Sequence, residues 1–142
     1  MRYMMIREKI KELGSGDKEC RIRNAEELGD LLEYGEISVR EFESAAASLI
    51  DAIAGETEPQ AREALTNTLA ILASNNGGLK APWDRSAAIL PQLDISFLEN
   101  SLTALGFSRD GSFEKVLKEY EQHTDKSVRE TAADALAELR AS

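Results

Sequence analysis

The stretch Asp125–Leu139, DKSVRETAADALAEL, decides the fold, because it returns along the chain. Apolar residues three and four apart run through it for more than three turns, the period of an amphipathic helix. At Asp17–Leu31 the same pattern reads DKECRIRNAEELGDL, with Asp17, Cys20, Arg21, Ala25, Leu28 and Leu31 matching Asp125, Val128, Arg129, Ala133, Leu136 and Leu139. A third copy, EPQAREALTNTLAIL, puts Glu58, Ala61, Arg62, Leu65, Leu69 and Leu72 in those places. A weaker fourth, DISFLENSLTALG, keeps Leu98, Leu102 and Leu105 but has Ile95 where the others have arginine. The equivalent positions 21, 62, 95 and 129 are 41, 33 and 34 residues apart, which suits a repeated helix pair.

A second helical pattern precedes each copy: Tyr3–Leu13, Val39–Ala54, a short Trp83–Leu90, and Phe113–Glu121. Ser38 with Glu41, Ser96 with Glu99, and Thr57 with Gln60 have capping-box spacing, and Pro59 is tolerated in a first turn. Gly14-Ser-Gly16, Gly35, Gly55, Asn75-Asn-Gly-Gly78 and Gly106 stand where helices should stop. The expectation is an all-α chain of eight helices in one domain, with four antiparallel pairs over roughly 1–34, 38–74, 82–106 and 112–141. No segment alternates with the period of a strand.

The pattern Asp-x-x-Val-Arg-x-x-Ala-Ala-x-Ala-Leu-Gly-x-Leu resembles the second helix of HEAT repeats. Asp125–Leu139 fits it nearly throughout, and Asp17–Leu31, with Gly29, fits well. The resemblance implies a short right-handed HEAT-like α-solenoid whose second helices line a concave wall. It also implies that Arg21, Arg62 and Arg129 are structural, packing their stems between units and bonding acids or carbonyls nearby. It identifies architecture and hardly restricts function. The third unit departs from the pattern: it lacks the arginine, its first helix is bounded by Pro82 and Pro91, and a glycine-rich linker precedes it.

Apolar residues make up 42 % of the 142 and charged ones 30 %, a globular composition. No apolar run is long enough to cross a bilayer, and MRYMMIREKIKEL is too charged after Met5 to supply a signal-peptide core. A single cysteine, Cys20, excludes an internal disulfide and fits a reducing compartment, so the cytoplasm is the expected location. At Cys20 the repeat places a small core residue, matching Val128. The formal charge of −9 argues against nucleic acid or an anionic membrane as partner. Eleven acids and two bases between Asn24 and Glu63 carry all of it. That stretch is either a solvated surface or an interface for something basic. No charged residue falls between Ala64 and Leu79, which burial of that helix explains.

Catalytic constellations are missing from the sequence. His123, the one histidine, sits in a turn and reads as a capping or solvent-facing residue. Neither it nor Cys20 has a partner at metal-ligand spacing, and Asn75-Asn-Gly-Gly78 lacks the strand and lysine of a phosphate loop. No cofactor is expected.

These features point to a non-catalytic protein-binding module. Its wall would present Arg23, Glu26, Glu27, Asp30 and Glu33, followed by Glu63 and Asn67. Such a wall attracts a basic protein. Small acidic HEAT-like proteins resemble bacterial immunity proteins, which implies a basic toxin as partner. A scaffold or adaptor for another protein is the alternative, and a HEAT-like lyase is the third reading.

Overall fold

The structure, a computed structural model, describes residues 2–33 and 36–141, with side chains from Ile6 onward. Gly35, one of the expected helix stops, lies outside them. Among the described residues there are eight α-helices and no strand. They are α1 (Arg2–Glu12), α2 (Lys18–Glu33), α3 (Val39–Gly55), α4 (Pro59–Asn75), α5 (Trp83–Ile89), α6 (Ile95–Phe107), α7 (Glu114–Tyr120) and α8 (Lys126–Arg140). Short 3₁₀ turns follow α5 at Leu90–Gln92 and precede α7 at Gly111–Phe113.

Helices pack against their chain neighbours as α1 on α2, α3 on α4, α5 on α6 and α7 on α8. The second members also pack side by side in the order α2, α4, α6, α8, while α3 touches both α1 and α5. Burial explains the order. On α3, Phe42, Ala45, Ala46, Leu49, Ile50 and Ile53 form one continuous buried stripe at helical spacing. Phe42 reaches α5 through Trp83, ring centroids 6.5 Å apart. The equivalent Leu28, Leu69, Leu102 and Leu136 are all buried. The uncharged run of α4 is buried at Leu65, Thr66, Thr68, Leu69, Leu72 and Ala73, with Asn67, Ser74 and Asn75 left at the surface.

Two glycines set the helix spacing. A Cβ on Gly29 of α2 would lie 3.0 Å from Thr68 Oγ1 of α4, and the Thr68 hydroxyl donates to Ala25 O at 2.8 Å. On α6, a Cβ at Gly106 would meet Ala135 O of α8 at 2.7 Å. Gly106 is the penultimate residue of α6, at the expected helix end, and it also lets two backbones approach. The two helices bury different faces at the matched positions: Ala25 is buried, while its sequence match Ala133 is exposed and Ala132 takes the core place.

Of the three expected capping boxes, one forms. Ser38 Oγ accepts from Glu41 N, and Glu41 Oε1 accepts from Ser38 N, both at 3.1 Å. Ser96 instead donates to Glu63 at 2.9 Å, Glu99 accepts from Thr131 at 3.0 Å, and the cap residue of α6 is Asp94. Thr57 does not cap α4 either, because its start is held from outside by Glu56, whose Oε2 accepts from Thr57 N and Glu58 N at 3.1 and 3.0 Å.

The repeated arginines act mostly inside their own unit. Arg21 and Arg129 bond the carbonyls five residues back, Gly16 O and Thr124 O, each at 2.9 Å. Arg62 Nε donates to Ile53 O at 3.1 Å. Arg21 goes further and clasps Glu56 through Nε and Nη2 at 2.8 and 3.1 Å, joining the first pair to the second. Hydroxyls and amides supply other links along the second helices: Thr68 to Ala25 O, Asn75 to Leu32 O, Asn100 to Thr66 Oγ1 and Thr131 to Glu99.

Candidate binding face

The period of α2 places Arg23, Glu26, Asp30 and Glu33 three and four residues apart, and all four are exposed. On α4 the same period exposes Gln60, Glu63 and Asn67. Because α2 and α4 are drawn together at Gly29 and Thr68, these rows face each other across a groove of about 570 Å³. Its rims carry the carboxylates of Glu26, Asp30 and Glu63 and the amides of Gln60 and Asn67; Gly29, Ala64, Thr68 and Ile71 complete the lining.

The expected wall residues divide three ways. Glu26, Asp30, Glu63 and Asn67 line the groove. Arg23 and Glu33 are exposed on α2 but outside it, and Arg23 Nη2 donates to Cys20 Sγ at 3.3 Å. Glu27 turns away to pair with Lys9 of α1 at 2.6 Å, because its position on α2 faces α1. Gln60, which the sequence offered only as a cap partner of Thr57, joins the groove one turn before Glu63. The helical period from Glu63 back to Gln60 was the signal for it. Cys20 is half-buried beside Arg23, in contrast to the fully buried Val128.

Of the acids between Asn24 and Glu63, five are taken up structurally: besides Glu27 on Lys9 and Glu63, which accepts from Ser96, there are three more. Glu41 completes the cap of α3, Asp51 pairs with Arg85, and Glu56 is 7 % exposed beneath Arg21. Burial pushes the Glu56 carboxyl up, but the Arg21 hydrogen bond and the N–H groups of Glu58 and Thr57 outweigh it and hold the group below the usual carboxylate range. Glu26 and Asp30, by contrast, take part in no ion pair among the described residues.

His123 is committed to its turn: Nδ1 accepts from Asp125 N at 3.0 Å, and the ring stacks on Tyr120. Among the described residues no three His, Cys, Asp or Glu side chains are grouped to hold a metal ion, and no helix is long and apolar enough to cross a membrane. No protein-family model, curated protein or solved structure matches the chain.

Proposed function

We propose that the chain is a non-catalytic, cytoplasmic protein-binding module, a short right-handed HEAT-like solenoid of four helix pairs. Its wall of second helices takes a basic protein, and a bacterial toxin neutralised by an immunity protein is the form we favour. The observation that carries this reading is the groove between α2 and α4, where Glu26, Asp30 and Glu63 gather with the amides of Gln60 and Asn67. Carboxylates left unneutralised on a groove rim attract lysine and arginine and speed encounter. The amides can pair with a partner's backbone or polar side chains. A basic nuclease is suited to such a wall because it must itself hold phosphate.

Capture from the native cell followed by mass spectrometry names the partner, and association kinetics then test the site. Glu26→Lys with Asp30→Lys should slow association by about tenfold and flatten its salt dependence, with helix content unchanged. Glu119→Lys with Glu121→Lys, the same charge change on the last pair of helices, should change the rate far less. Equal effects at the two places would make the acidity a general solubilising charge and end the proposal. Protection of cells from the captured protein separates an immunity function from that of a scaffold.

A further inference from the structure

Four bases occur between Asn24 and Leu90: Arg40, Arg62, Lys80 and Arg85. Arg62 is spent on Ile53 O, and the other three converge on one groove between α3 and α5. Arg40 is brought there by the α3 face that also carries Glu43, Ser44 and Ala47, at helical spacing. The linker into α5 brings Lys80, Ala81 and Pro82, so bases 40 residues apart in sequence line one groove, with Ala47, Ala81 and Pro82 among them. Arg85 pairs with Asp51, whereas Arg40 and Lys80 take no acid among the described residues. Next to it, sharing Arg40 and Ser44, an apolar groove between α1 and α3 adds Arg7 beside Ile6 and Ile10, together with Glu41, whose carboxylate is engaged by the Ser38 N–H. Neither groove shares a residue with the acidic one between α2 and α4.

We infer that this cationic strip across α1, α3 and α5 is a second docking surface, and that it takes a short acidic, partly apolar segment of another protein. Charge complementarity selects the occupant. Arg7, Arg40 and Lys80 offer unneutralised guanidinium and ammonium groups, while the half-buried Ile10 and Pro82 offer apolar surface between them. A segment whose carboxylates flank an apolar side chain meets both. A long polyanion does not fit as well, because the chain's net −9 and the nearby Glu43 repel everything beyond the few charges the strip can hold. The surface is independent of the proposed toxin-binding wall, and the two together would let the module hold two partners of opposite charge.

The test uses the whole chain and a fluorescein-labelled peptide of glutamates alternating with leucines, read by anisotropy at low and physiological salt. The chain should bind it, more weakly as salt rises. Arg40→Glu with Lys80→Glu should weaken binding at least about tenfold. Lys115→Glu with Lys126→Glu makes the same change in net charge on the last helix pair and should leave most of the binding. Circular dichroism confirms that each variant keeps its helix content; were the first to unfold, Arg40→Gln with Lys80→Gln replaces it with the same expectation. No binding by the unaltered chain, or equal loss in both variants, overturns the inference. So does tighter binding of single-stranded RNA through Arg40 and Lys80, which would give the strip to a polyanion. A salt-sensitive dimer lost on Arg40→Glu with Lys80→Glu would give it to a second copy of the chain and likewise refute the acidic-partner assignment.

Discussion

Replacing Glu56 perturbs the junction between the first two helix pairs, and the structure sets the size of the effect. Its carboxylate accepts from Arg21 Nε and Nη2 and from the N–H groups of Thr57 and Glu58, and the side chain is 4 % exposed. Glu56→Ala leaves those donors unmatched and, with Arg21 still 20 % exposed to water, should cost about 2–4 kcal/mol, less than breaking a fully buried charged pair. Glu56→Gln keeps one acceptor oxygen for the N–H groups but loses the charge facing Arg21, so about 1.5–3 kcal/mol is expected. The exposed Asp51 of the Arg85 pair is the comparison: Asp51→Asn should cost no more than about 1 kcal/mol. Urea unfolding followed by circular dichroism measures all three. The pH dependence fixes the sign. Because folding lowers the Glu56 carboxyl, its contribution is complete above the unfolded value of about 4.3 and disappears as pH falls through the lower folded value. The stability gap between the unaltered chain and Glu56→Gln should therefore hold from neutral pH down to about pH 5 and close in more acid solution. In a double substitution with Arg21→Met, the pair should cost little more than the larger single change. A gap that stays constant through the acid range, or fully additive single changes, would show that the clasp does not join the pairs.

The remaining expectations concern packing. Leu136→Ala should cost about 2–5 kcal/mol by urea unfolding, and less than half a kcal/mol would place that side chain outside the core. Gly106→Ala should destabilise by about 1–3 kcal/mol, since the new methyl meets the Ala135 backbone of α8, whereas Gly111→Ala, with open space around it, should stay within about 0.5 kcal/mol. Ser38→Ala should cost about 1 kcal/mol by removing the α3 cap; Ser96→Ala, which caps nothing, should lower the thermal midpoint less.

The helices were legible because their signals are local. The starts of α3 and α5 fall where the apolar period and the residues before it put them, and those of α1 and α7 lie one residue away. What failed was the attribution of local motifs whose partners are distant. Ser96 and Glu99 have the spacing of a cap, yet each reaches a neighbouring helix, to Glu63 and Thr131. Gly106 does stand one residue from the end of α6, but only the crossing of α6 with α8 reveals its packing role. The same division holds for the candidate site. Glu26 and Asp30 follow from the period of one helix, and Glu63 and Asn67 from that of another. That Glu27 would face Lys9 depends on the packing angle between α1 and α2, which no spacing encodes. The meeting of Arg40 with Lys80 was hidden for the same reason.

The arrangement of charge is itself an argument about selection. A surface tuned only for solubility needs net charge, and interspersed signs serve it well. Here the signs are unevenly spread between helix layers. Glu26, Asp30 and Glu63 gather where α2 meets α4, whereas Arg40, Lys80 and Arg85, the last paired with Asp51, gather beside Glu43 where α3 meets α5. Like charges brought together repel by a few tenths of a kcal/mol per neighbouring pair, a cost that mixing them would remove. The buried positions do not force this distribution, since the core stripe of α3 runs through Phe42, Ala45, Leu49 and Ile53 and leaves its exposed face free to carry either sign. A small, persistent electrostatic cost in the groove between α2 and α4, where Glu26, Asp30 and Glu63 are the only charged lining residues, is what an interface for a basic partner would maintain.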